Sequence, residues 1–144
     1  MKIFTIGFTQ KSAEQFFARL KQPGLVRLLD IRLNNVSQLA GYTKKNDLRF
    51  FLREICHIDY LHLPELAPTK EILAAYKKKG GDWTSYEAKF LALMAVRRVE
   101  VTLEKGLISG GCLLCSEAKP DYCHRRLVAD YLRTKWGDVE IEHL

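Results

Sequence analysis

Gly110-Gly111-Cys112-Leu113-Leu114-Cys115-Ser116-Glu117-Ala118-Lys119-Pro120-Asp121-Tyr122-Cys123-His124-Arg125-Arg126 reads as a short buried strand, a loop and the first turn of a helix. Two glycines lead into an apolar run too short for a helix, and Pro120-Asp121 punctuates the chain before a new periodic segment begins. A strand end feeding a helix start offers free backbone N–H groups and the positive end of the helix dipole, a setting that suits an anion. Into that setting this sequence places a thiol (Cys115), a carboxylate (Glu117), a second thiol (Cys123), an imidazole (His124) and a guanidinium (Arg125).

Working outward toward the N-terminus, Ile3-Phe4-Thr5-Ile6 reads as a first strand ending at Gly7. Ser12 and Gln15 form a capping box for a helix with Ala13, Phe16, Phe17 and Leu20 on its apolar face, closed by Pro23-Gly24. Leu25 to Arg32 is a nearly unbroken apolar run ending in charge, as expected of a strand covered on both faces. Strand, helix and strand so closely spaced predict a right-handed βαβ unit. A polar loop from Leu33 to Asn46 follows, and a loop of that length in a small domain usually serves function. Asp47 is then the expected cap of a helix carrying Leu48, Phe51, Leu52 and Ile55, and Asp59 to Leu63 a third strand.

Thr69 is the expected cap of a short helix reaching Tyr76, before the basic turn Lys77-Lys78-Lys79-Gly80-Gly81. Thr84 with Glu87 suggests a second capping box, opening a helix to about Lys105 with Tyr86, Phe90, Leu93, Met94 and Val101 inward. Beyond the fourth strand, Cys112 to Cys115, Asp121 is expected to cap a helix bearing Leu127, Val128, Tyr131 and Leu132, closed near Gly137. Val139 to His143 alternates with period two, fitting a last strand with one face exposed. The expectation is one three-layer α/β domain spanning 1–144, with a mostly parallel sheet of about five strands and helices on both faces.

Composition is that of a soluble globular chain: 144 residues, 47% apolar and 28% charged. With no apolar run of about 18 residues and no leader-like start, the expectation is a cytoplasmic protein without a membrane partner. The net charge of +6 favours anionic partners, either a small molecule or nucleic acid. Four cysteines in such a chain are expected to be free thiols.

Open α/β sheets bind ligands at the carboxyl ends of their strands. Those ends deliver Thr5 and Gly7, then Asp30 and Arg32, then Cys115 and Glu117, with Cys123, His124 and Arg125 supplied by the next helix. Glu117 and Asp30 are the candidate acid–base carboxylates, and Cys123 and His124 a candidate nucleophile and its partner. Thr5, Gly7, Arg32, Cys115 and Arg125 are the candidate substrate contacts. Asp30 and Arg32, two apart on a strand, share a face and can pair. Cys112-x-x-Cys115 with Cys123-His124 has the outline of a zinc site. Residues three apart on a strand face opposite ways, however, so no metal or other cofactor is expected. An oxyanion-cradling loop of the phosphatase or sulfurtransferase kind needs an arginine soon after the strand-end cysteine. Here Pro120-Asp121 occupies that place.

Thr5-Ile6-Gly7, Asp30-Ile31-Arg32 and the C-E-x5-C-H-R core (Cys115-Ser116-Glu117, then Cys123-His124-Arg125) resemble the domain of unknown function 488 family over nearly the whole chain. That resemblance implies an α/β fold and a shared site without an assigned reaction. Members often carry Gly-His-Ser after the first strand, where this chain has Gly7-Phe8-Thr9, and Pro-x-Ser-Arg after the second, where it has Asn35-Val36-Ser37-Gln38. Leu66-Ala67-Pro68 stands where Leu-Gly-Gly is common, which implies a different substrate rim.

Two function classes follow. One is a small enzyme, or a sensor without turnover, built on a strand-end pocket for an anionic or nucleobase-bearing compound. The other is a nucleic-acid-binding module, with Lys44-Lys45, Lys77-Lys78-Lys79 and Arg97-Arg98 for charge and Tyr42, Trp83 and Tyr86 for stacking.

Overall fold

The computed structural model describes residues 1–36, 41–78, 80–117 and 119–144. Five parallel strands form one sheet: β1 (Lys2–Gly7), β2 (Arg27–Asp30), β3 (Asp59–His62), β4 (Gly111–Cys115) and β5 (Glu140–His143). Their order is β3-β2-β4-β1-β5. Every residue of β4 is buried, because it lies between β1 and β2 with both of its faces covered.

Period-two alternation sorts the strand residues into two cores. Ile3, Leu29, Ile31 and Leu113 pack with Tyr86, Phe90 and Met94 of α4 (Trp83–Arg97) and Leu127, Val128 and Leu132 of α7 (His124–Trp136). Phe4, Ile6, Leu28, Cys112 and Leu114 pack on the opposite face with Phe16 and Phe17 of α1 (Ala13–Arg19) and Leu48 of α2 (Lys45–Phe51). The result is a three-layer α/β domain. No helix among the described residues is long and apolar enough to cross a membrane.

Connectivity places the crevice. From β1 the chain crosses one face through α1 to β2, and from β4 it crosses the other face through α7 to β5. Since β1 and β4 are neighbours, their outgoing connections part to opposite faces and leave a gap above the sheet, the topological switch point where such folds bind ligands.

Several local expectations hold. The Ser12–Gln15 capping box forms, Thr69 caps α3 (Lys70–Lys77), and α7 closes at Gly137. Others are corrected. Helix α4 is capped by Asp82, whose carboxylate accepts from Thr84 and Ser85 N–H, so the helix starts before the Thr84–Glu87 pair can act as its box. It also ends early, because Arg98 adopts a left-handed φ of 53°. Two short helices follow, α5 (Val99–Thr102) and α6 (Lys105–Ile108), and Val101 faces solvent. Asp47 lies inside the first turn of α2, where its charge meets the N-terminal dipole, and Lys44 occupies the cap. Asp121 does not cap α7, whose cap position is Cys123. Ser37 and Gln38 of the polar loop, Lys79 of the basic turn and Ala118 of the central stretch lie outside the described residues.

The loop after β4 folds back over the end of β1. Thr9 N–H donates to the Ser116 carbonyl at 3.0 Å, and a Cβ on Gly7 would fall 1.6 Å from the Glu117 carbonyl oxygen. Only a residue without a side chain fits beneath that carbonyl. Gly7→Ala is therefore expected to cost at least about 3 kcal/mol in urea unfolding, the upper end for overpacking. Gly106→Ala, where nothing lies within 4 Å of the added Cβ, is expected to be neutral or slightly stabilising.

Candidate functional site

A cavity of about 550 Å³ opens at the switch point. Its sheet side is made by Phe8 and Thr9 after β1, Arg32 to Asn34 after β2, and Cys115 to Glu117 after β4. Cys123 and His124 at the start of α7 complete the floor. The opposite wall is aromatic, with Trp83 and Tyr86 at the start of α4, Tyr76 from α3 and Tyr122 from the loop. Trp83 is stacked on Tyr86 at 5.0 Å and meets the edge of Tyr122 at 5.5 Å. Separate segments of the chain thus meet on one rim.

Arg32 is held rigidly. Its Nε and Nη2 donate to the two oxygens of the Asp30 carboxylate, both at 2.8 Å, and Nη2 donates again to the Thr43 carbonyl. Tyr60 Oη donates to the same carboxylate at 2.6 Å and accepts from Asn35. Burial, reinforced by the Asp30 charge, pushes the Tyr60 phenol up, so it stays a neutral donor. Asp30 is fully buried and Arg32 only 4% exposed, yet Arg32 Nη1 has no hydrogen-bond partner among the described residues. The guanidinium lies 5.5 Å from the centre of the Phe8 ring.

The expectation of four free thiols is corrected for one pair. Cys115 and Cys123 are bonded, with sulfurs 2.11 Å and Cα atoms 7.1 Å apart, while Cys56 and Cys112 are free. The loop returns from the strand end so that the cysteine facing α7 meets the cysteine capping α7. Cys112 packs in the other core, as strand alternation required, and burial pushes its thiol up.

His124 lies against this pair. Its Nε2 donates to the Ile31 carbonyl at 2.7 Å, and Nδ1 sits 3.4 Å from Cys115 Sγ. Phe90 meets the ring edge-on at 5.5 Å. Burial lowers the imidazole pKa to about 4, so the ring is neutral at physiological pH. A carbonyl only accepts, so the proton is on Nε2 and the Nδ1 lone pair faces Cys115 Sγ.

Of the remaining sequence candidates, Glu117 lines the cavity and Asp30, Thr5, Gly7 and Arg125 do not. Asp30 braces Arg32 from below. Thr5 and Arg125 are fully buried beneath the loop. Arg125 Nε donates to Thr5 Oγ1, its Nη1 to the Glu117 carbonyl, and Thr5 Oγ1 contacts His143 Nδ1 at 2.6 Å. Burial draws the Arg125 guanidinium down to about 10. Gly7 is the gap that lets the loop settle. Glu117 reaches the cavity rim but is exposed, without the burial its acid–base reading called for.

Sequence reasoning missed the cavity roles of Phe8, Tyr76 and Tyr122. The pair Trp83 and Tyr86, three apart at a helix start, was the available signal for the wall. The stacking trio is divided, since Tyr42 is turned away, donating to the carbonyls of Phe8 and Lys11. Arg97 is also committed, to the carbonyls of Glu65 and Ala67.

Removing one member of a buried ion pair strands the other. Asp30→Ala is expected to destabilise by about 3–5 kcal/mol, and Tyr60→Phe, which removes one bond to a charge, by about 1.5–3 kcal/mol. Urea unfolding of both variants against the parent checks the order.

Neither the curated proteins nor the solved structures gave a match. The family described as Domain of unknown function DUF488 matches residues 12–132, which takes in β2, β3, β4, Arg32 and the Cys115–Cys123–His124 floor. The chain belongs to the domain of unknown function 488 family.

Proposed function

We propose that the cavity binds a small anionic molecule carrying a flat ring, with Arg32 receiving the anion and the Trp83–Tyr86–Tyr122 wall receiving the ring. The observation that carries this reading is Arg32, a cavity-lining residue whose buried Nη1 has no hydrogen-bond partner among the described residues. A buried charged donor left unpaired is costly, and a ligand oxygen there offsets that cost. Stacked aromatics suit a nucleobase or a similar ring.

In this reading Asp30 positions Arg32, while Thr5, Gly7 and Arg125 shape the loop beneath the ligand. Glu117 is the rim carboxylate available for proton transfer, and Cys115, Cys123 and His124 form the reactive floor.

Intrinsic fluorescence supplies the test, because Trp83 lines the cavity and Trp136 is engaged elsewhere, donating to the Glu100 carbonyl. In a Trp136→Phe background, nucleoside phosphates are expected to quench Trp83 saturably, more strongly than the free base or inorganic phosphate. Arg32→Lys should weaken the response about tenfold or more, which corresponds to about 1.4 kcal/mol. Trp83→Ala, followed by thermal shift, should lose the ring preference. No saturable response to any of these compounds, or wild-type affinity in both variants, contradicts the proposal. Tighter binding of a single-stranded oligonucleotide than of its mononucleotide, falling steeply with salt, would instead favour the nucleic-acid module.

A further inference from the structure

We propose that Cys115, Cys123 and His124 form a binding site for a thiophilic divalent cation of the zinc type, with its fourth coordination position open to the cavity. The two Sγ atoms and one imidazole nitrogen lie within 4.8 Å of one another, and all three residues are buried. Two sulfurs and one nitrogen are the donor set preferred by zinc and avoided by magnesium or calcium.

Three further features point the same way. First, the imidazole is already arranged as a ligand. Nε2 is fixed by the Ile31 carbonyl at 2.7 Å, leaving Nδ1 unprotonated and 3.4 Å from Cys115 Sγ. Metal-bound histidines are held in this manner, with the far nitrogen donating to a carbonyl or carboxylate. Second, the backbones of Cys115 and Cys123 stand 7.1 Å apart, beyond the roughly 4.4–6.8 Å over which most disulfides form. A shared ion at about 2.3 Å from each sulfur spans a wider pair than a direct bond does. Third, two thiolates cancel the charge of a divalent ion, so the loaded floor adds no net charge to a buried place beside Arg32.

Three protein ligands and a cavity-facing fourth position are the arrangement of catalytic rather than structural zinc sites. Water or an anionic group of a ligand would take that position.

The ligating form is the dithiol. A phosphine with water, or two equivalents of a thiol, supplies the two electrons and two protons that open the Cys115–Cys123 bond, leaving a phosphine oxide or a new disulfide, and the incoming cation then displaces the two thiol protons. The bonded form shown by the structure does not ligate. The site therefore loads only in a reduced chain, and a two-electron oxidant such as a peroxide would release the ion as it re-forms the disulfide.

Cobalt(II) serves as the probe, added to the full chain reduced with a phosphine. One equivalent per chain is expected, with thiolate-to-cobalt charge-transfer absorption and the visible bands of a tetrahedral ion, both erased by one equivalent of zinc. Cys115→Ser, Cys123→Ser and His124→Gln should each lower the affinity at least about a hundredfold. Cys112→Ala, on the opposite face, and Cys56→Ser should leave it unchanged. Circular dichroism establishes that each variant is folded, and His124→Gln can keep the bond to Ile31. Zinc should also shield Cys115 and Cys123 from alkylation in the parent chain, a readout that needs no variant. Absence of uptake by the reduced chain, uptake indifferent to the three substitutions, or no protection from alkylation overturns the site. Trp83→Ala separates this proposal from the cavity reading, since it should abolish ring binding and leave cobalt uptake intact.

Discussion

The loop between β4 and α7 lies where it does because position 7 has no side chain. Its Glu117 carbonyl rests where a Cβ on Gly7 would stand and accepts from the buried Arg125 guanidinium, whose Nη1 lies 2.6 Å from the same Cβ position. Arg125 comes from the first turn of α7, so this contact ties strand β1, the loop and the helix into one unit. Burying a guanidinium is unfavourable and lowers its pKa, and hydrogen bonds to the Thr5 hydroxyl and the loop carbonyl offset part of that cost. Once the loop is folded back, Cys115 at the strand end and Cys123 at the helix cap meet.

A second buried polar unit fixes the other side of the cavity. The Asp30 carboxylate is engaged by two nitrogens of Arg32 and by Tyr60, and Arg32 is further held by the Thr43 carbonyl, so the guanidinium has little freedom. Buried ion pairs of this kind add little to stability against an apolar replacement, so their value lies in orientation. Between the two units the cavity offers a fixed cation, an aromatic wall and a floor of soft donors.

Much of the fold was legible in the sequence because strand signals are local. The buried run of β4 and the opposed directions of Cys112 and Cys115 follow from period two alone, and so does the pairing of Asp30 with Arg32. Strand order was not legible. β1, α1 and β2 are consecutive in sequence, but β4 inserts between the two strands through a pairing more than eighty residues away from β2. Helix caps were ambiguous where two candidates stood close together: Asp82 preceded Thr84, and Cys123 rather than Asp121 took the cap of α7. The left-handed turn at Arg98 had no local signal, since neither glycine nor asparagine marks it. In the site, Arg32 and His124 were legible by type and place. The union of Cys115 with Cys123 was not, because it depends on how the intervening loop returns. Glu117 carried the right chemistry in the sequence, but its exposure is a tertiary property.

His124 is a neutral imidazole whose Nε2 proton is given to the Ile31 carbonyl and whose Nδ1 lies 3.4 Å from Cys115 Sγ. Long-range proton–nitrogen correlation by NMR on the ¹⁵N-labelled chain at neutral pH reads this directly. The predicted result is a protonated Nε2 and an unprotonated Nδ1 for His124, assigned by the loss of its signals in His124→Gln. An imidazolium signal for that residue, or the opposite tautomer, would contradict it.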